Sequence, residues 1–122
     1  MNTLSTTQQR VRRHRHGILG EYAALAYLTL KGYRFVAQRF KTPLGEVDLV
    51  MRRGDTLVFV EVKMRSRIED AAIAVHIKNQ SRVSRAAQLF LAAHPAYASH
   101  QVRFDVVLVT WYKRPHHILN AF

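Results

Sequence analysis

The sequence contains no cysteine. The chain can therefore form neither a disulfide bond nor a thiolate metal site, and a cytoplasmic location is expected. It also lacks a long apolar run, because the longest one in a predicted helix covers residues 22–28 and is too short to span a membrane. Residues 1–16 are polar and basic and contain no apolar segment of the kind found in secretory signals. These absences predict a soluble intracellular protein.

Acidic residues are scarce: 8 Asp and Glu stand against 19 Lys and Arg, which gives a formal net charge of +11. This excess of positive charge indicates an acidic partner, with nucleic acid as the first candidate and an anionic membrane or a ribosome next. Surface acids normally occur among polar residues, whereas most acids of this chain have apolar neighbours and are predicted to point inward. These inward acids are Glu21, Glu46, Asp48, Glu61 and Asp105.

Two apolar runs flank residues 54–55, a Gly-Asp dipeptide, and this pattern predicts a β-hairpin. If the dipeptide forms the loop, Asp48 lies directly opposite Glu61, with Cβ atoms about 5 Å apart. The same register places Glu46 opposite Lys63. Facing carboxylates repel each other, so the pair predicts a divalent cation between them and, without the cation, a raised pKa for one of them. A loop of odd length would remove this pairing, and the sequence alone does not exclude one.

Hydrophobic periodicity predicts the remaining elements. An Ala-rich helix covers residues 17–31 and a strand covers residues 33–40; after the hairpin come a helix at 78–94 and strands at 101–112 and 116–119. Residues 68–77 are compatible with either a helical turn or a loop. The order predicts a single α/β or α+β domain of residues 17–122, with a mixed central sheet flanked by helices. Residues 1–16 are predicted to form a basic, mobile arm.

Two acids outside the hairpin allow different interpretations. Glu21 is the only charged residue in the segment 18–30 and shares a helix face with leucines. It is either a further acid of the metal site or a salt-bridge partner near the start of the helix. For Asp105, a structural bond to Arg103 or to a helix terminus is favoured over a role in orienting a metal-bound water.

The second predicted helix carries a stripe of three basic residues, Lys78, Arg82 and Arg85, and no acid. A solvated helix face usually mixes both signs of charge, so the stripe indicates a contact with phosphate groups. A merely solvated face is the alternative. His116 and His117 are adjacent in a predicted strand and would point to opposite faces, which makes them a poor metal-binding pair.

An aspartate on one strand, followed after a hairpin by Glu-x-Lys on the next, resembles the core of the PD-(D/E)-x-K nucleases. The ordered set of motifs from about residue 17 to the end of the chain resembles the YraN family, whose members are described as endonuclease-like and similar to Holliday-junction resolvases. The resemblance implies a restriction-endonuclease-like fold with an αβββαβ core. It rests on Gly20-Glu21, Gly32-Tyr33, Gly45-Glu46-Val47-Asp48-Leu49-Val50, Val58-Phe59-Val60-Glu61-Val62-Lys63, Arg103-Phe104-Asp105-Val106 and Asn120-Ala121-Phe122.

The resemblance also implies site residues. Asp48 and Glu61 would ligate Mg²⁺ or Mn²⁺, with the Val62 carbonyl and Glu21 assisting, and Lys63 would position the nucleophile and stabilise charge on the phosphate. Arg39 and Lys41 stand where the family usually has Asn and Arg, and their positive charge would suit a phosphate backbone. The carboxylates and Lys63 are thus the expected catalytic group, and the basic residues the expected nucleic-acid contacts.

The function expected from these features is a Mg²⁺- or Mn²⁺-dependent endonuclease, a hydrolase of DNA phosphodiester bonds, with branched or flapped DNA as candidate substrates. A nucleic-acid-binding protein that retains the fold without cleaving is the alternative. A basic scaffold protein in a larger assembly would explain the charge but not the inward acids. DNA is the expected partner, a membrane is not, and formation of a homodimer is left open.

Overall fold

The computed structural model describes residues 6–64, 77–110 and 112–122, with side chains described from residue 17 and, after the gap, from residue 80. Its elements follow the predicted order of helix, three strands, helix and two strands. They are α1 (Thr6–Leu30), β1 (Arg34–Thr42), β2 (Gly45–Arg53), β3 (Thr56–Met64), α2 (Ile77–Ala93), a short 3₁₀ helix (Pro95–Tyr97), β4 (Gln101–Val109) and β5 (His116–Ile118).

The strands form one sheet in the order β1-β2-β3-β4-β5. Only β3 and β4 run parallel, and the other neighbouring pairs are antiparallel. The sheet is therefore mixed, as predicted, and α2 lies in the connection that carries the chain from β3 to the parallel strand β4. The mixed sheet and the two helices fit a restriction-endonuclease-like αβ core.

Each helix covers one face of the sheet through a separate set of buried side chains. From α1, Ala24 and Leu28 pack against alternate residues of the central strands. From α2, Val83, Ala87 and Phe90 pack against the opposite face. The residues under α1 are Leu49, Met51, Val58, Val60, Val107 and Val109. Those under α2 include Val47, Val50, Leu57 and Phe59.

Strand β2 is irregular at its beginning. Val47 and Val50 both pack toward α2, although residues three apart in a regular strand point to opposite faces. The partner strand β1 also shifts register, between Phe35 and Ala37. The irregularity in β2 brackets residue 48, so the backbone is distorted where the sequence predicted the main acid of the site.

Gly45 opens β2 directly beneath α2. A Cβ atom at this position would collide with the backbone carbonyl of Arg82, so the close approach of helix and strand requires glycine. The turn before it is held by Thr42, whose hydroxyl accepts hydrogen bonds from the N–H groups of Leu44 (3.2 Å) and Gly45 (3.0 Å). The start of β2 is therefore fixed from two sides.

The boundaries differ from the predicted ones mainly in α1. This helix begins at Thr6 rather than at residue 17, so most of the predicted arm has a helical backbone. Once a packed helix exists, each further residue adds a hydrogen bond without a new nucleation cost, and no apolar periodicity is needed to mark the extension. The division into an arm and a domain of residues 17–122 stays a prediction. Nearly all of the ambiguous segment 68–77 lies outside the described residues.

Within the described part of the chain, no helix combines the length and the apolar character that crossing a membrane requires.

Candidate active site at the open end of the hairpin

The predicted hairpin register is confirmed along most of its length. Arg53 pairs with Thr56 around the turn, Gly54 has a positive φ of 58°, and the pairing continues to Leu49 and Val60. At Asp48 the carboxylate takes the place of a backbone acceptor, because its Oδ2 atom accepts a hydrogen bond of 2.8 Å from the Val62 N–H. The predicted pair of Asp48 with Glu61 is therefore not part of the backbone ladder, and Asp48 is tied to β3 through its side chain instead.

The local environment raises the pKa of Asp48 to about 7. Burial is the largest cause, the hydrogen bond from the Val62 N–H opposes it, and the negative charges of Glu21, Glu61 and Glu46 add to the increase. The raised pKa of one carboxylate was predicted from the facing pair. The prediction named repulsion between the facing carboxylates as the cause, whereas burial raises the pKa of Asp48 more than the charge of Glu61 does.

Glu21 reaches the same place from α1. Its Oε1 atom accepts a hydrogen bond from the Arg39 Nε at 2.7 Å and a longer one from the Gln38 Nε2 at 3.5 Å. The carboxylate is 13% exposed and forms an ion pair with the guanidinium. Glu21 thus forms the predicted salt bridge, although α1 begins at Thr6 and the residue is not near the helix start. Its charge also acts on Asp48, and its role in a metal site stays a prediction.

Arg39 adopts a left-handed backbone conformation, with φ of 55°. This region is disfavoured for residues other than glycine and costs on the order of 1–3 kcal/mol. The pairs Gln38–Leu49 and Phe40–Val47 flank Arg39, so it lies across from Asp48, where β2 is also irregular. Strained residues cluster at functional sites, and here the distortion accompanies the ion pair with Glu21.

Glu61 and Lys63 extend from β3. They are two residues apart, share one face as predicted, and form an ion pair with 3.1 Å between Oε1 and Nζ. Their side chains are mostly buried. Glu61 also contributes to the raised pKa of Asp48, so the charges of the predicted catalytic residues act on one another.

A cavity of about 130 Å³ opens beside Asp48. Its wall contains the predicted phosphate contacts Arg39 and Lys41 together with the acids Glu21, Glu46 and Asp48. Glu61 and Lys63 are not among its lining residues. Its lining residues are Gly17, Glu21, Arg39, Lys41, Glu46, Val47 and Asp48.

The predicted position of Glu46 opposite Lys63 is wrong. The pairing of β2 with β3 ends at Leu49, and Glu46 instead pairs with Lys41 on β1. The sequence signal for this contact is the two-residue gap between Thr42 and the next strand, which is a hairpin spacing. Glu46 therefore belongs to the cavity as an acid that faces a base.

The carboxylates are not arranged as a complete cage. Among the described residues, no three Asp, Glu, His or Cys side chains form a group that could hold a metal ion. The acids predicted as ligands make other contacts: Asp48 accepts the Val62 N–H, while Glu21 and Glu61 pair with Arg39 and Lys63.

The basic stripe of α2 passes the open end of the hairpin at Arg82. The backbone of Arg82 abuts Gly45, and the side chains of Arg82 and Arg85 are exposed. The side chain of Lys78 lies outside the described residues. The stripe and the cavity are thus on adjacent parts of the molecule, joined by the start of β2.

Asp105 has the structural role that the sequence favoured. It is fully buried and accepts hydrogen bonds from Arg103 Nε (2.8 Å) and Nη2 (2.7 Å), His117 Nε2 (2.7 Å) and the Asn120 N–H (2.9 Å). Burial alone would raise the pKa of Asp105, but the bonds from His117, Arg103 and Asn120 together lower it to about 2. His117 was not predicted as a partner, since only the tertiary pairing of β4 with β5 brings it there.

Comparison with known proteins identifies the family. Residues 20–109 match the family model described as "Uncharacterised protein family UPF0102". A UPF0102 protein of Rhodopseudomonas palustris strain BisB18 is 51% identical over 93% of this chain and 84% of its own length. A UPF0102 protein of Bradyrhizobium diazoefficiens is 48% identical over 93% and 86%, and one of Nitrobacter winogradskyi 48% identical over 87% and 90%. The resemblance inferred from the sequence is confirmed, and the chain belongs to the UPF0102 family, also called the YraN family.

Proposed function

We propose that the protein is a metal-dependent nuclease that hydrolyses phosphodiester bonds of DNA. The observation that carries the proposal is the environment of Asp48. This partly buried carboxylate has a pKa that is raised by burial and by the charges of Glu21, Glu61 and Glu46. Keeping carboxylates together away from water is costly, and strongly perturbed pKa values mark functional sites. In a chain with a net charge of +11, this concentration of negative charge would be relieved by a bound cation.

The donor chemistry of the site fits a divalent cation that prefers oxygen, such as Mg²⁺ or Mn²⁺. Asp48 and Glu61 would hold the ion, with the Val62 carbonyl and Glu21 as further oxygen donors. When bound, the ion would polarise the phosphate and lower the pKa of a water molecule. The ion pairs of Glu21 and Glu61 with basic side chains would rearrange on binding.

The basic residues around the acids supply the remaining functions. Lys63, held by Glu61, would stabilise negative charge that develops on the phosphoryl oxygens. Arg39 and Lys41 line the cavity with Asp48 and would contact the adjacent phosphates of the strand. Arg82 and Arg85 would continue this contact along α2.

Cleavage of labelled DNA tests the proposal. Linear, flapped and four-way DNA are incubated with purified protein and Mg²⁺ or Mn²⁺, with EDTA as the reference. Asp48→Asn should abolish metal-dependent cleavage, and Lys63→Ala should slow it by roughly 10²–10³-fold through loss of charge stabilisation. Asp55→Asn is the matched control, because it makes the same change in the exposed turn at the other end of the hairpin. Cleavage at the wild-type rate by Asp48→Asn would refute the proposal.

A second candidate is a nucleic-acid-binding protein that does not cleave. It is favoured by the ion pairs that engage Glu21 and Glu61 and by the lack, among the described residues, of a three-ligand group. This candidate predicts salt-dependent DNA binding, no turnover with either metal, and no increase in melting temperature when the metals are added. The nuclease predicts both the turnover and the increase, so the two measurements separate the candidates.

A further inference from the structure

A second, larger cavity lies beside β5 and has a strongly basic wall. Its volume is about 510 Å³, which is within the range of about 300–1,000 Å³ typical of small-molecule sites. Among the described residues that line it, none is acidic. They are Tyr27, Lys31, Lys113, Arg114, Pro115, His116 and His117.

Lys31 is held at this cavity by a chain of hydrogen bonds. Its Nζ atom is 2.7 Å from the Nδ1 of His117, and the Nε2 of the same ring is 2.7 Å from the Oδ2 of Asp105. The Asp105 carboxylate can only accept, so Nε2–H donates to it, and Nδ1 then accepts a hydrogen bond from the lysine ammonium. The Lys31 Nζ is thus positioned by the His117 ring.

Asp105 is the acid at the end of this chain of hydrogen bonds, and its negative charge does not neutralise the positive charge of the cavity wall. Asp105 is fully buried, and its carboxylate is occupied by Arg103, His117 and the Asn120 N–H. The His117 side chain is 1% exposed and meets the Tyr33 ring edge-on, with 5.7 Å between ring centroids. The imidazole is therefore held in one orientation and positions the Lys31 Nζ at the cavity.

We propose that this cavity binds the phosphate group of a nucleotide. Lys31, Lys113 and Arg114 supply the positive charge, and the ring of Tyr27, which holds the Lys31 Nζ over one face at 5.3 Å from its centroid, is the aromatic group of the cavity wall on which a base can stack. His117 acts as a positioning residue, since it contacts Lys31 rather than the ligand. The phosphate belongs either to a free nucleotide or to a nucleic-acid strand. Lys31 directly follows α1, about 15 Å from Glu21 at 1.5 Å per residue, so one strand could reach both cavities.

NMR titration of the full chain in EDTA tests the site directly. Thymidine 5′-monophosphate should shift the imidazole signals of His116 and His117 in a saturable manner, whereas thymidine at the same concentration should leave them in place. Lys113→Ala combined with Arg114→Ala should weaken binding of the monophosphate at least tenfold. Arg34→Ala removes an exposed arginine outside the cavity and should bind as the wild type does. Equal shifts with both compounds, or unchanged binding by the double variant, would overturn the inference, and the first comparison needs no variant.

A fluorescent 12-nucleotide DNA in EDTA distinguishes the phosphate of a strand from that of a free nucleotide. This experiment rests on the proposed function. If the cavity holds a phosphate of a strand, this DNA should bind at least tenfold more tightly than the mononucleotide and lose affinity in the double variant. Similar affinities would assign the cavity to free nucleotides. Cleavage of DNA without a response of the histidines to the monophosphate would refute only the cavity. A saturable response without cleavage would refute only the nuclease.

Discussion

Asp48→Asn should stabilise the metal-free protein in a way that depends on pH. The pKa of Asp48 rises from 3.8 to about 7 on folding. The folded state therefore binds the proton more strongly than the unfolded state, and this contribution to stability is fully present below pH of about 4. It is lost as pH rises from about 4 to about 7, because the folded protein must then hold a poorly solvated negative charge. Asparagine cannot ionise and avoids this loss.

The magnitude follows from the pKa difference. A difference of about 3 pKa units corresponds to about 4 kcal/mol as an upper bound, at 1.36 kcal/mol per unit. Asp48 is only partly buried and the nearby charges are screened by salt, so about 2 kcal/mol is expected at pH 8. The amide oxygen of asparagine can still accept the Val62 N–H, which preserves the link to β3. The stability difference between variant and wild type should approach zero at pH 4.

Urea unfolding between pH 4 and pH 8 in EDTA measures this difference. Subtracting wild type from variant removes contributions common to both, such as that of Asp105. The exposed control Asp55→Asn should give a difference that does not grow with pH. Addition of Mg²⁺ at a hundredfold excess over Kd should stabilise the wild type by about 2.7 kcal/mol and the Asp48 variant much less. A variant that is less stable than wild type at pH 8, with the same response to metal, would show that Asp48 is a structural acid.

Two further predictions concern the start of β2 and the helix above it. Gly45→Ala should lower the free energy of unfolding by about 1–3 kcal/mol or more, because the added methyl group meets the Arg82 carbonyl. The control is Gly17→Ala, whose added methyl group meets no atom within 4 Å. It should be neutral or stabilising in the urea assay. Arg82→Ala combined with Arg85→Ala should flatten the slope of log K for DNA against log salt by roughly 2, whereas Arg34→Ala at the other end of the sheet should not change it. An unchanged slope in the double variant would remove α2 from the interface.

Much of the fold could be predicted because it is encoded locally. Residues 54–55 set the hairpin loop, and once the loop is known, alternation assigns the side chains of the paired residues 49–53 and 56–60 to their faces. The apolar stripes of the helices are likewise local patterns, and they contain the buried core residues Leu28 and Phe90. Local patterns could not predict where the strands separate. The distortion at Asp48 depends on how α1, β1 and α2 pack around the start of β2, and the left-handed Arg39 belongs to the same tertiary arrangement.

Asp105 and Asp48 show what distinguishes a structural carboxylate from a candidate functional one. Asp105 and Asp48 are the same residue type, both lie on the sheet, and burial acts on both to raise the pKa. Asp105 is compensated by donors from Arg103, His117 and a backbone N–H, so its pKa falls to about 2. At Asp48, burial together with three neighbouring carboxylates outweighs the hydrogen bond from the Val62 N–H, so its pKa rises to about 7. A guanidinium and an imidazole both donate to the buried Asp105, so this fold is able to compensate a buried acid. Among the described acids, Asp48 is therefore the one whose raised pKa the proposed cation would relieve.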